Sequence, residues 1–228
     1  MKQTLAMIAL CLGLTGIHPL NVHAGLESLT NDTRAIKSYT NGKITVPYNM
    51  GTNYLGKVAL LGNLARALAD SPYSVKEEGT NKFLFYNSSG ESRFEIIEDT
   101  STSNTFRKVV GVTGSRSFGR FKACMILNCQ SNSAGQIDYN SEMYTRLGSS
   151  FWNALVRNLA SIPLIGQPIK HFFEKEQDGV VMMINNVAER VFDNPHEALE
   201  TIENYGFTGE DILYVKRSLI ENGFLENE

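Results

Sequence analysis

Between Lys82 and Leu147 the chain is a succession of short β-type segments set off by turns, and this run restricts the possible folds more than any other feature. "KFLFYN" (82–87), "SRFEIIED" (92–99), "TFRKVVGVTG" (105–114), "FKACMILNCQ" (121–130) and "QIDYNSEMYTRL" (136–147) each read as a strand. "SSGE" (88–91) and "SNSAG" (131–135) carry the Ser, Asn and Gly chemistry of tight connections. Apolar residues recur in rows: Phe94 with Ile96; Phe106 with Val110 and Val112; Phe121, Ala123, Met125 and Leu127; Ile137, Tyr139 and Met143. In a strand, residues two apart share a face. The segments therefore predict an antiparallel meander with one buried face, and such a face needs a second layer over it.

The natural cover follows in sequence. "IPLIGQPIKHFFEKEQDGVVMMINNVAERV" (162–191) reads as a proline-led entry into one long helix. At 100° per residue, Ile169, Phe173, Val180, Met183, Val187 and Val191 fall within about 40° of one direction. Phe172 and Ile184 flank them, while Glu174, Lys175, Asp178, Asn185, Asn186 and Glu189 lie opposite. Glu176 stands inside the apolar stripe, where a lone buried carboxylate costs several kcal/mol. Two readings remain open. Glu176 either anchors a ligand head group at the wet or cation-paired end of a cavity, with Arg107, Arg116, Arg120 or Arg146 as the cation, or it reaches water where the helix frays.

Elsewhere the pattern is plainer. Residues 25–42 are polar and read as loose, and "GKITVPY" (42–48) reads as a first strand. "YLGKVALLGNLARALAD" (54–70) has the spacing of an amphipathic helix stopped by "DSP". "FWNALVRNLASIPLIG" (151–166) reads as a short helix and loop. The tail reads as two helices broken at "YGFTGED", with Thr208 and Asp211 in a capping pattern.

Strand order and the proline-led helix together make residues from about 75 to 192 resemble the START-like, or SRPBCC, superfamily. The resemblance implies an α+β helix-grip fold, in which a curved antiparallel sheet grips a long C-terminal helix. Here extra C-terminal helices would follow, with a domain over 25–193 and an extension over 194–228. It also implies a cavity between sheet and helix for lipids, sterols or other apolar molecules. Phe94, Ile96, Val110, Met125, Tyr139, Phe173, Met183 and Val187 would line it, with Glu176 as its polar member. Some members of the superfamily are cyclases or hydrolases. The expected function is binding of a hydrophobic or amphipathic small molecule without catalysis. The alternatives are a protein-interaction module built on the C-terminal helices, whose stripe is Ile212, Val215, Leu219 and Phe224, or a small exported hydrolase or cyclase.

The first 24 residues have a signal-peptide plan: Lys2, the apolar "LAMIALCLGLTGI", and a small residue at Ala24 before the expected cleavage. The mature product is expected to be exported, to periplasm or exterior. Cys124 and Cys129 then remain, five apart in an expected strand. That spacing places them on opposite faces and about 16 Å apart, beyond the ~7 Å a disulfide allows between Cα atoms, so two separate thiols are favoured.

Composition bears on what is absent. A net charge of -3 argues against nucleic acid. His171 and His196 belong to no metal-spaced cluster, so no metal and no cofactor are expected. "GSRSFGRF" (114–121) puts Arg120 and Phe121 where a phosphate loop needs Lys and Ser or Thr. Arg107, Lys108, Arg116, Arg120 and Lys122 form a basic neighbourhood that reads as a solvated strand end or a membrane contact. "FEIIEDT" and "FFEKEQD" supply acid pairs but no geometry for acid–base chemistry.

Overall fold

The computed structural model describes residues 27–71, 74–87, 90–116, 119–160 and 163–226. Within these, the side chains at 27, 87, 116, 152, 159, 160, 163–170, 172, 173, 175, 176, 180 and 182 lie outside the description. The expected signal peptide, 1–24, also lies outside the described residues.

Seven strands form one sheet: β1 (Ile36–Ile44), β2 (Ser74–Gly79), β3 (Lys82–Asn87), β4 (Gly90–Ser101), β5 (Thr105–Arg116), β6 (Gly119–Ser131) and β7 (Ile137–Leu147). Their spatial order is β1-β7-β6-β5-β4-β3-β2, and every pairing is antiparallel. Strands β2 to β7 thus follow one another as hairpins, while β1 closes against β7. Two helices, α1 (Tyr48–Gly56) and α2 (Val58–Ala69), lie in the connection from β1 to β2. After β7 come α3 (Ser150–Ala160), α4 (Pro163–Asp193), α5 (Pro195–Tyr205) and α6 (Gly209–Glu221). The molecule is α+β.

Three sequence expectations need correction. β1 begins at Ile36, inside the stretch read as loose. Its buried positions alternate as Ile36, Ser38, Thr40 and Ile44, so hydroxyls replace aliphatic groups in the inward row and the hydropathy alternation vanishes. β2 was not anticipated, because "SVKEEG" buries Val75 alone. The single helix expected over 54–70 is two helices, broken at Lys57, whose backbone (φ -106, ψ 70) leaves the helical region.

One face of the sheet carries the main core. Ile44, Phe106, Leu127, Cys129 and Ile137 from the strands meet Leu61 and Leu64 of α2 and Val181, Ile184, Val187 and Val191 of α4. Ala198 and Ile202 of α5 and Val215 and Leu219 of α6 complete the same cluster, so the tail helices share this core. Full burial of each such aliphatic side chain contributes about 1.5–3 kcal/mol before entropy. Thr208 caps α6, its hydroxyl accepting from the Asp211 amide at 3.2 Å, which satisfies one otherwise orphaned donor. On the outer face, Leu29 from a short 3-10 turn packs on Val109 and Cys124. Cys124 is therefore outside and Cys129 inside the sheet, and neither is in a disulfide.

Close approach between layers depends on two glycines. A Cβ at Gly62 of α2 would stand 2.1 Å from Val75 Cγ2, and one at Gly51 of α1 would stand 2.4 Å from Ile137 Cδ1. Both helices lie nearer the strands than any side chain at those positions would permit.

Candidate functional site

The register across the strands draws a polar row through the inner face. Thr40 of β1 pairs with Ser141 of β7, Ser141 with Leu127 of β6, Leu127 with Lys108 of β5, and Lys108 with Asp99 of β4. A bulge between Ile96 and Glu98 shifts β4 by one residue, which is what brings Asp99 beside Lys108. This belt separates two apolar regions of different character.

On one side lies the main core. The gap left among Val46, Met50, Tyr54, Leu61 and the second half of α4 is about 10 Å3, near the ~10–15 Å3 that one water requires. That gap is too small for a ligand. On the other side Val110, Val112, Ala123 and Met125 form a separate cluster with Phe94, Phe121 and Met143. Val75, Phe83, Phe85 and Ile96 extend it toward the β2 edge, and Ile36, Leu147 and Val156 toward β1. Asn153 of α3 ties down this end, accepting from the Leu147 amide at 3.0 Å and donating to the Arg34 carbonyl at 2.8 Å.

α4 crosses the belt at Gln177. This side chain is 1% exposed. Its Oε1 accepts from the Ser38 hydroxyl at 3.0 Å and its Nε2 donates to the Ser141 hydroxyl at 2.8 Å. One carboxamide thus bridges β1 and β7 from above. Next along the helix, the Tyr139 hydroxyl reaches Asp178 Oδ1 at 3.4 Å. Burial, with the adjacent Asp178 charge, pushes the Tyr139 phenol up to about 12, so it stays protonated and donates. Asn185 Oδ1 accepts from the Thr45 amide at 3.2 Å. At 1.5 Å per residue, positions 163–176 extend α4 about 20 Å beyond Gln177, away from the main core.

Around Gln177 several hydroxyls are buried without partners. Thr40 (8% exposed) and Thr145 (2%) lie on β1 and β7, and Ser92 (2%) lies on β4 at the far side of the apolar cluster. Thr40 is the cross-strand partner of Ser141, and Thr145 lies diagonal to Ser38 on the same face. Each buried, unsatisfied hydroxyl costs about 1–3 kcal/mol, and such groups in folded proteins call for an explanation such as a water or a ligand.

Lys108 is the charged member of the belt. It is 3% exposed, and its ammonium donates to the Leu55 carbonyl at 2.6 Å and meets Asp99 at 3.0 Å. Burial pulls its pKa below the usual lysine value, and the hydrogen bond it donates to Asp99 opposes that shift. Leu55 is in the last turn of α1, where a cation complements the exposed carbonyls. Lys108 therefore leaves the surface basic neighbourhood read from the sequence. Arg107 is engaged as well, with Glu98 at 3.1 Å and Asn128 at 3.0 Å.

The residues expected to line a cavity divide at the belt. Phe94, Ile96, Val110 and Met125 come together in the second apolar region. Tyr139, Met183 and Val187 are instead part of, or packed against, the main core. The side chains of Phe173 and Glu176 lie outside the described residues. The buried face of α4 among the described residues runs Gln177, Val181, Ile184, Val187, Ala188, Val191, about 60° around the helix from the expected stripe. The buried polar residue described on that face is Gln177, one position beyond the Glu176 singled out by hydropathy. Ser38, Thr40, Ser141 and Thr145 were not anticipated; their signal is hydroxyls at alternate positions, "SYT" and "SEMYT", where aliphatic groups were sought.

His171 and His196 are exposed. Among the described residues no three His, Cys, Asp or Glu side chains are placed to share a metal ion, and no helix is long and apolar enough to cross a membrane.

No family model and no curated protein matches the chain. Among solved structures, a hypothetical protein from Helicobacter pylori is 7% identical over 78% of this chain and 99% of its own, with a TM-score of 0.47. A conserved protein from Geobacillus kaustophilus is 12% identical over 64% of this chain and 96% of its own, with a TM-score of 0.39. Neither is similar enough to pass a property to this chain.

Proposed function

We propose that this chain is an exported helix-grip protein that binds an apolar or amphipathic small molecule without transforming it. The ligand occupies the inner face around Val110, Val112, Ala123 and Met125, under the first half of α4. The observation that carries this reading is the set of buried hydroxyls without partners at Thr40, Thr145 and Ser92, which border an apolar cluster distinct from the main core. The Tyr54 hydroxyl in the main core is unpartnered too, but Thr40, Thr145 and Ser92 stand where valine or alanine would pack as well without a polar atom to satisfy. Small-molecule sites combine such an apolar lining with a few placed polar groups. The strand order and the long helix after β7 support the helix-grip reading, and the N-terminal "MKQTLAMIALCLGLTGIHPLNVHA" supports export.

The test is a titration with N-phenyl-1-naphthylamine, a neutral fluorophore that brightens in apolar surroundings. Saturable binding at one site per chain is expected. Ala123→Phe, which fills the second apolar region, should weaken it at least about tenfold, a loss of ~1.4 kcal/mol. Val187→Ala, on the other side of the belt, should leave affinity within about twofold. Circular dichroism of both variants checks the fold. Equal weakening by both, or no saturable binding, contradicts the proposal.

A further inference from the structure

We infer that the polar belt is a head-group subsite for an uncharged oxygen, selecting ligands that end in an alcohol over those that end in a carboxylate. The inference rests on the binding reading above and adds the chemical class of the ligand.

The subsite is made of Ser38, Thr40, Ser141 and Gln177 at the belt, with Thr145 two inward rows away beside Ala123. Ser38 and Ser141 are fixed by the Gln177 carboxamide. That carboxamide uses one of its two donor hydrogens and one of its two acceptor lone pairs in doing so. The Thr40 and Thr145 hydroxyls on either side of Ser38 are nine-tenths buried and have no partner. Hydroxyls both donate and accept. Thr40 and Thr145 stand four residues apart along the strands, about 13 Å, so a ligand hydroxyl, which also does both, meets one of them beside Ser38.

Among the described residues a carboxylate finds no compensation there. It brings a full negative charge into a buried setting, where an unpaired ion is strongly disfavoured. The buried cation on the same row, Lys108, is already engaged by the Asp99 carboxylate and the Leu55 carbonyl. Leu127 stands between it and Ser141. Asp178, which follows Gln177 on α4, faces Tyr139 and would repel a second anion. Among the described residues the site is thus polar without being charged.

Displacement of N-phenyl-1-naphthylamine by dodecan-1-ol and by dodecanoate at pH 8 tests this with one chain length and two head groups. The alcohol is expected to compete at least about tenfold more tightly, as burial of an unpaired charge would demand. In a Thr40→Val, Thr145→Val double variant, which keeps shape and removes both hydroxyls, that preference should shrink at least about fivefold through loss of alcohol affinity. Dodecanoate binding as tightly as dodecanol overturns the subsite, as does a preference unchanged in the double variant. If the fluorophore binds but both chains compete equally, the subsite alone fails. If the fluorophore does not bind, the binding reading beneath it fails too.

Discussion

Gln177 and Thr145 illustrate opposite uses of a buried polar atom. Gln177 supplies partners to Ser38 and Ser141. Replacing it with Leu strands both hydroxyls inside the protein, and stability should fall by about 1–3 kcal/mol for each group left unsatisfied. Thr145 has no partner to lose. Thr145→Val should raise stability by up to about 1 kcal/mol, because it removes an unsatisfied group and places a strong strand former in β7. Urea denaturation of the two variants gives the comparison; a destabilising Thr145→Val would mean that its hydroxyl is satisfied in the folded chain. Gain of stability at a binding position is the usual trade between fold and function. These residues were hard to see in the sequence for a physical reason. Hydropathy patterns find apolar atoms, and a row of hydroxyls facing inward looks like a row facing water. The same blindness turned attention to Glu176, whose charge stands out in an apolar run, and away from its uncharged neighbour Gln177.

At the scale of elements, the hairpins from β3 to β7 were legible because their inward rows are aliphatic or aromatic and their connections carry turn residues. The break between α5 and α6 was legible for the same local reason, since Gly206 takes a left-handed backbone (φ 85) and Thr208 caps the next helix. β2 was not legible, because one buried residue cannot make an alternation. Its position is fixed instead by a long-range contact. Val75 fills the notch at Gly62, and α2 meets the strand there almost backbone to side chain. Gly62→Ala gains helix propensity of about 1 kcal/mol but forces a methyl into Val75. The net effect should be a loss of about 1–2 kcal/mol from overpacking. Val75→Ala in the same chain should restore part of that loss, a coupling that a double-mutant cycle in urea measures. Additive effects would show that helix and strand are not in contact at this point.

The whole molecule divides along the belt. One end, where α1, α2, α5, α6 and the second half of α4 converge on the sheet, holds the main core, and the gap there between α1, α2 and α4 is about 10 Å3. The other end joins the apolar cluster of β4 to β7 to the buried hydroxyls of Thr145 and Ser92, while Tyr54 carries such a hydroxyl in the main core. A helix that continues beyond the main core explains why the sequence suggested one continuous lining: periodicity reports which side of α4 is buried but not which half covers that core. Tyr139, Met183 and Val187 satisfy the periodicity and fall at the main core. A ligand that fills the other end and satisfies Thr40 or Thr145 would stabilise the fold by mass action, so it should survive gentle purification. Native mass spectrometry of the protein isolated from expressing cells, with solvent extraction of the same sample, is the most direct check. The account predicts a mass excess of one small molecule per chain, released on unfolding, extractable as an uncharged amphiphile and missing from Ala123→Phe. A folded wild-type chain with the bare polypeptide mass and no extractable molecule would contradict it.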